Sequence, residues 1–155
     1  MLDPSWWFWG ALLPAVVAFA AMFVWHQPWR PASPASAAMC WGVALCDGYL
    51  AGSVPCSLLL GKLKGIDVRK IGSGNVGAMN LGRVAGRGWF LAAFLLDMLK
   101  GLVPTAVGGH LLVGPEPMRS LCWLAVGLCA VLGHNYPVFL RFRGGKGVST
   151  SLGVA

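Results

Sequence analysis

The chain of 155 residues is 57% hydrophobic and only 11% charged, with a mean hydropathy of +0.68. A water-soluble domain of this length needs more polar surface to cover its core, so the composition excludes that class and makes lipid the solvent. The net charge of +7 then points first to positive-inside orientation and to anionic ligands, ahead of nucleic acid.

Residues 6–25 form an unbroken apolar run, close to the ~20 residues that cross a bilayer as a helix. A signal peptide cleaved after Ala35-Ser36-Ala37 is the alternative. The segment before the run is acidic at Asp3 rather than basic, however, and the run is long for that role. An ordinary span is expected. Residues 26–38, HQPWRPASPASAA, read as a proline- and alanine-rich linker. Further apolar segments cover 39–60, interrupted by Asp47 and Pro55, then 89–113 and 121–140. Residues 151–155 look like the start of another. The expected fold is therefore an all-α integral membrane protein, a polytopic helix bundle with roughly four spans plus the start of a fifth. A natural chain does not stop five residues into a span, so the sequence reads as part of a longer one. The eight tryptophans, many near the ends of apolar runs, suit the membrane interface. Cys40, Cys46, Cys56, Cys122 and Cys129 fall mostly inside apolar segments, with no CxxC and no His/Cys ligand spacing. Buried free thiols are expected, with neither a disulfide framework nor a metal site.

The longest polar interval is 61–88, GKLKGIDVRKIGSGNVGAMNLGRVAGRG. It sets Lys62, Lys64, Arg69, Lys70, Arg83 and Arg87 against the single acid Asp67 and contains eight glycines. Glycines let a backbone approach a ligand closely and turn successive N–H groups toward an anion. Arginine adds a fork of donors that fits phosphate oxygens, and Ser73, Asn75 and Asn80 can complete such a cradle. A loop that merely fixes orientation would need the cations but not GSGNVG. The turn at 114–120 is neutral, with one Glu and one Arg, and 141–146 is basic again with three cations. Basic, neutral, basic puts both glycine-rich segments on the same, inner side.

The second of them, RFRGGKGVSTS at 141–151, resembles a Walker A loop only superficially. Lys146 is followed by Gly147, and Leu140 stands where the first glycine should be. Nucleotide hydrolysis is thereby disfavoured. Gly144, Gly145, Lys146 and Gly147, with Ser149 and Thr150 at the mouth of the next helix, suit phosphate; a structural turn is the alternative. Asp97 and Lys100 lie three apart and share a helix face. Mutual neutralisation and substrate contact both remain open, and either way the pair marks the face turned from lipid. His134, in GHNYPVF, is either a hydrogen-bonded structural residue or part of the site. His26 and His110 receive no role.

Taken together, GSVP at 52–55, KLKGIDVRKIGSGNVGAMN at 62–80, LLDMLKG at 95–101 and GHNYPVFLRFRGGKGVSTSLG at 133–153 resemble the PlsY family. These are bacterial acyl-phosphate:glycerol-3-phosphate acyltransferases, and the likeness covers about residues 50–155. The resemblance implies a bundle of about seven helices with its motifs at the cytoplasmic face of the inner membrane. It implies transfer of a fatty acyl group from acyl phosphate to the 1-hydroxyl of glycerol 3-phosphate, giving lysophosphatidic acid in phospholipid synthesis, with no cofactor, nucleotide or nucleic acid. It matches Ser73 and Arg83 to the important serine and arginine of the first motif, Asn75 to the same phosphate-binding turn, and Gly144, Gly145, Lys146 and Gly147 to the second motif. With the residues read above, Ser73, Arg83 and Lys146 are expected to be catalytic, and Gly72, Gly74, Asn75, Asn80, Gly144, Gly145, Gly147 and Thr150 to bind substrate. Met79 stands where the family usually has threonine, and a third motif with a histidine and an asparagine lies beyond residue 155. Residues 1–38 read as an appended span and linker, or as sequence upstream of a start at Met39; 39–155 read as the N-terminal part of the acyltransferase domain. Because acyl phosphate is already activated, direct attack by the substrate hydroxyl is expected, and no Ser/His/Asp arrangement is apparent. The competing class is a membrane transporter or binding protein for phosphate esters.

Overall fold

The computed structural model describes residues 33–111 and 117–155. The expected first span at 6–25, most of the linker after it and the first three residues of the turn at 114–120 lie outside the described residues. Among the described residues every regular element is helical. They are α1 (Pro34–Ser53), α2 (Cys56–Leu63), α3 (Ala78–Ala85), α4 (Arg87–Leu111), α5 (Met118–Asn135) and α6 (Val148–Val154), with a 3-10 turn at Val138–Leu140. Three stretches are long and apolar enough to cross a membrane: Ala37–Leu63, Arg87–Gly108 and Met118–Leu140. They fall on the apolar segments expected at 39–60, 89–113 and 121–140.

The distribution of side chains is inside-out for water. Leu91, Leu95, Leu99 and Leu102 on α4, and Leu121, Leu124, Leu128 and Leu132 on α5, are each 42–57% exposed, whereas Asp97 and His134 are buried. In water, each half-exposed leucine would forgo about 1 kcal/mol of burial. Eight of them together match the whole stability of a small domain. In lipid that penalty vanishes, and turning ionisable groups inward becomes the economical arrangement. The protein is an all-helical integral membrane protein.

The span at Ala37–Leu63 is broken. Pro55 has no N–H to continue the helical ladder, so the chain leaves α1 at Ser53 and resumes in α2 at Cys56. Local substitutes cover the exposed carbonyls: Ser53 Oγ donates to the Tyr49 carbonyl at 2.8 Å, and the Val54 amide to Ala51 at 3.3 Å. The Val54 carbonyl accepts from the Cys56 amide at 3.0 Å and from Lys100 Nζ, on another helix, at 2.7 Å.

Small residues set the helix order. Gly48 lies against Val126 and Gly52 against Ala130, so α1 and α5 advance together and are parallel. At Gly133 a Cβ would strike the backbone of Tyr49, which shows how closely the two approach. α4 runs the other way: Gly108 meets Val126, while Asp97, further back along α4, meets His134 near the end of α5. The C-terminal ends of α1 and α5 and the N-terminal end of α4 therefore share one end of the bundle. The loops at 64–77 and 136–147 emerge there together. One apolar cluster, Leu58, Val68, Val76, Ala78, Leu81 and Ala93, packs with Phe90 and Phe94 beneath the first loop; a second, Ala44, Cys122 and Val126, joins α1 to α5. All five cysteines are free; Cys40, Cys56 and Cys122 are buried, but Cys46 is exposed and Cys129 half-buried, so the expectation of uniformly buried thiols is corrected. An apolar run places a thiol in the membrane without saying which side of the helix faces lipid.

Candidate active site

The first loop is built around one side chain. Asn80 is 2% exposed. Its Oδ1 accepts from the Ser73 amide at 2.8 Å, and its Nδ2 donates to the Val68 carbonyl at 2.9 Å and the Ile71 carbonyl at 3.1 Å. Gly72 and Gly74 both adopt left-handed backbone, at φ 62° and 70°, and a Cβ on Gly72 would run into Asn80 Oδ1. Two left-handed glycines reverse the chain on either side of Ser73 and leave it exposed. The Gly74 amide donates to Ile71 at 3.2 Å. With the Ser73 and Gly74 amides both engaged, the GSG turn offers the Ser73 side chain outward rather than a nest of free N–H groups. Asn75 Oδ1 is buried beside Gly77 without a hydrogen-bond partner. Gly77 then starts α3 with extended backbone and no side-chain cap, and Arg83 stands exposed in that helix's last turn.

Ahead of this turn, Asp67 accepts from the Arg69 amide at 3.1 Å and from its guanidinium at 2.9 and 2.7 Å. The Arg69 side-chain hydrogen bonds hold the carboxyl down at about 2, from 3.8. A carboxyl depressed on folding stabilises above its unfolded value and loses that contribution as pH falls. The loss is expected between about pH 4 and pH 2. Because Arg69 is 49% exposed, solvent screening keeps the effect below about 1 kcal/mol. Asp67→Asn should thus leave the melting temperature at pH 7 within a few degrees and flatten its acid limb, as a thermal melt in detergent at several pH values would show.

The second loop folds back on the end of α5. The Gly144 amide donates to the Asn135 carbonyl and the Gly145 amide to the His134 carbonyl, each at 3.1 Å. A Cβ on Gly144 would strike the His134 carbonyl, with the Asn135 carbonyl 2.7 Å away; one on Gly145 would strike the His134 ring. Gly147 has φ 77°, and a Cβ there would come within 2.6 Å of Asn135 Oδ1. These glycines allow close approach, and two of their amides are occupied internally. Lys146 remains exposed between them. Arg141 and Phe142 also take left-handed backbone, at φ 52° and 63°, which non-glycine residues adopt at a cost.

Beneath both loops lies a buried polar cluster. Lys100 Nζ sits 2.9 Å from Asp97 Oδ1, with the two side chains 9% and 2% exposed. His134 Nδ1 is 3.7 Å from the same carboxylate oxygen and shares a hydrogen bond of 3.1 Å with Thr150 Oγ1. Thr150 is fully buried, its carbonyl against Gly101 of α4, so its hydroxyl faces His134 rather than the helix mouth.

Of the sequence candidates, Ser73 and Lys146 are exposed on the loops and Arg83 on the last turn of α3; Asn80, Asp97, Lys100, His134 and Thr150 lie within the packing. Nine of the chain's 12 lysines and arginines belong to 61–88 or 141–146, with Asp67 the only acid among them. Sequence reading overlooked Asn135, whose Oδ1 is buried without a partner, and Tyr49, whose hydroxyl donates to the Tyr136 carbonyl at 2.7 Å. The sole hint of Asn135 is its place beside His134; nothing local marks Tyr49, since its partner is 87 residues away.

A family model described as "Glycerol-3-phosphate acyltransferase" matches residues 42–155. The chain belongs to the glycerol-3-phosphate acyltransferase family. Among its relatives, the glycerol-3-phosphate acyltransferase of Rubrobacter xylanophilus is 50% identical over 108 residues, 70% of this chain and 52% of that protein. That of Myxococcus xanthus is 52% identical over 108 residues, 69% of this chain and 54% of the relative. The chain spans about half the length of the curated relatives it matches. Among solved structures it resembles PlsY, an integral membrane glycerol 3-phosphate acyltransferase, in its glycerol 3-phosphate form. The TM-score is 0.66 at 42% identity, covering 74% of this chain and 55% of PlsY. The lysophosphatidic acid form matches with a TM-score of 0.65 at 41% identity. The matched residues 42–155 include both glycine-rich loops of this chain.

Proposed function

We propose that the full-length protein transfers a fatty acyl group from acyl phosphate to the 1-hydroxyl of glycerol 3-phosphate, forming lysophosphatidic acid at the cytoplasmic face of a bacterial inner membrane. The observation that carries this reading is the emergence of two basic glycine-rich loops from one end of a lipid-exposed bundle. Both substrates carry phosphate and one carries an acyl tail, so the reaction needs anion-binding groups at a membrane surface. In this reading Arg83 and Lys146 hold the phosphates and offset charge that grows as the hydroxyl oxygen attacks, and Ser73 hydrogen-bonds one of them. The new ester C–O bond forms as the acyl–phosphate C–O bond breaks; the departing phosphate takes up the proton that the hydroxyl gives up. No acyl-enzyme is formed.

Full-length protein in detergent, given acyl phosphate and glycerol 3-phosphate, should make lysophosphatidic acid. Arg83→Ala and Lys146→Ala should each lower the rate by roughly 10²–10³-fold. Both side chains are exposed, so the melting temperatures should stay within a few degrees. An isolable acyl-enzyme would overturn direct transfer. The break at Pro55 is a feature that a phosphate-ester transporter would share; a transporter would make no product in detergent, where there is nothing to cross.

A further inference from the structure

We propose that Lys100 is a positioning residue: its hydrogen bond to the Val54 carbonyl ties the break at Pro55 to the buried cluster that seats the 144–147 loop. The inference rests on the acyl-transfer reading for its functional consequence, but its geometry stands alone.

Neutralisation of Asp97 by itself would require only that Lys100 lie nearby. Lys100 does more. Its Nζ makes the 2.7 Å bond to the Val54 carbonyl and the 2.9 Å contact with Asp97 Oδ1 from one side chain that is 9% exposed. The carbonyl lies in the break itself: the Leu58 amide that a continuous helix would bring to it bonds the Pro55 carbonyl instead, and the Lys100 bond spans 46 residues. On the other side, His134 approaches the same Asp97 oxygen, holds Thr150 of α6, and packs its ring against Gly145. The contacts thus run from Val54 through Lys100 and Asp97 to His134 and Gly145, next to Lys146. α1 and α2 lead into the Ser73 turn, and α5 leads into the Lys146 turn. A tie between them fixes the two exposed turns relative to each other, which two substrates gripped together require. Buried polar groups in lipid have no water to fall back on, so letting go of these contacts is costly.

Two nearly isosteric double variants separate this role from neutralisation. Asp97→Asn with Lys100→Gln removes both charges but keeps a donor for the Val54 carbonyl. Asp97→Asn with Lys100→Met removes both charges and the donor. In full-length protein the Gln variant is expected to keep KM for glycerol 3-phosphate within threefold of wild type. The Met variant is expected to raise it tenfold or more with kcat changed less than threefold. Hydrogen exchange supplies a readout independent of catalysis: the Gly144 and Gly145 amides should exchange at least tenfold faster in the Met variant and at the wild-type rate in the Gln variant. Equal behaviour of the two variants, in exchange and in KM, overturns the proposal. Should the Met variant fail to fold, the Gln variant decides alone: wild-type exchange supports the tie, and fast exchange overturns it. A wild-type protein without acyl-transfer activity but with the expected exchange difference would sink the proposed reaction and leave the tie standing.

Discussion

Asn80→Leu should collapse the Ser73 turn and lower acyl transfer by about 10³-fold or more. The amide of Asn80 satisfies three backbone groups at once, the Ser73 N–H and the Val68 and Ile71 carbonyls. Leucine has the same branched shape, a larger volume and no polar atom, so it fills the space but leaves those groups unpaired. An unpaired buried backbone group costs roughly 1–3 kcal/mol; the Val68 bond is buried and the Ser73 and Ile71 bonds are part-buried, so the three together cost several kcal/mol, up to about 9, unless the loop rearranges to reach water. Rearrangement is the cheaper outcome, because the turn lies at the end of the bundle and is otherwise held by its own short-range bonds. The spans should survive, since their packing does not pass through Asn80. A helical circular-dichroism spectrum close to wild type, together with rapid proteolysis between residues 69 and 77, would bear this out. An Asn80→Leu protein with ordinary activity would show that the turn has another support. Asn80→Asp tests the two halves of the amide: the acceptor for Ser73 stays, and the two donors are lost.

The second large effect concerns Gly144. A Cβ there meets the His134 carbonyl, Pro137 Cδ and the Asn135 carbonyl within 2.7 Å. Two of these are backbone atoms of the last turn of α5, which cannot shift without loosening that turn. Gly144→Ala should therefore cost roughly 2–4 kcal/mol and displace Lys146, with glycerol 3-phosphate binding weakened at least tenfold. Gly88→Ala is the internal control: a Cβ there meets nothing within 4 Å. It lies in the first turn of α4, so alanine should be neutral or stabilise by up to about 1 kcal/mol. Melting temperatures of both variants in the same detergent, with binding measured by calorimetry, check the contrast. If the two variants melt alike, close approach at Gly144 is not what its glycine provides.

Membrane class and helical content followed from composition and from apolar runs of bilayer length, because lipid leaves a chain few choices for its backbone hydrogen bonds. The two basic glycine-rich loops were legible as well, since charge and glycine stand out against a greasy background. The i, i+3 spacing of Asp97 and Lys100 was sufficient to expect a shared face, and they pair at 2.9 Å. Periodicity carries that much because it is local. What folding alone decided is every contact between residues distant in the chain. Thr150 and Asn80, read as ligand-facing from their motifs, lie inside the packing, where one hydroxyl serves His134 and one amide holds the Ser73 turn together. The amides of Gly144 and Gly145 bind the end of α5, a use that no spacing rule distinguishes from phosphate binding. Lys100 meets the Val54 carbonyl only because α4 crosses the break at Pro55, and residue types alone say nothing about which helix lies beside a break. A sequence states which groups need partners; three-dimensional packing decides which partners they receive.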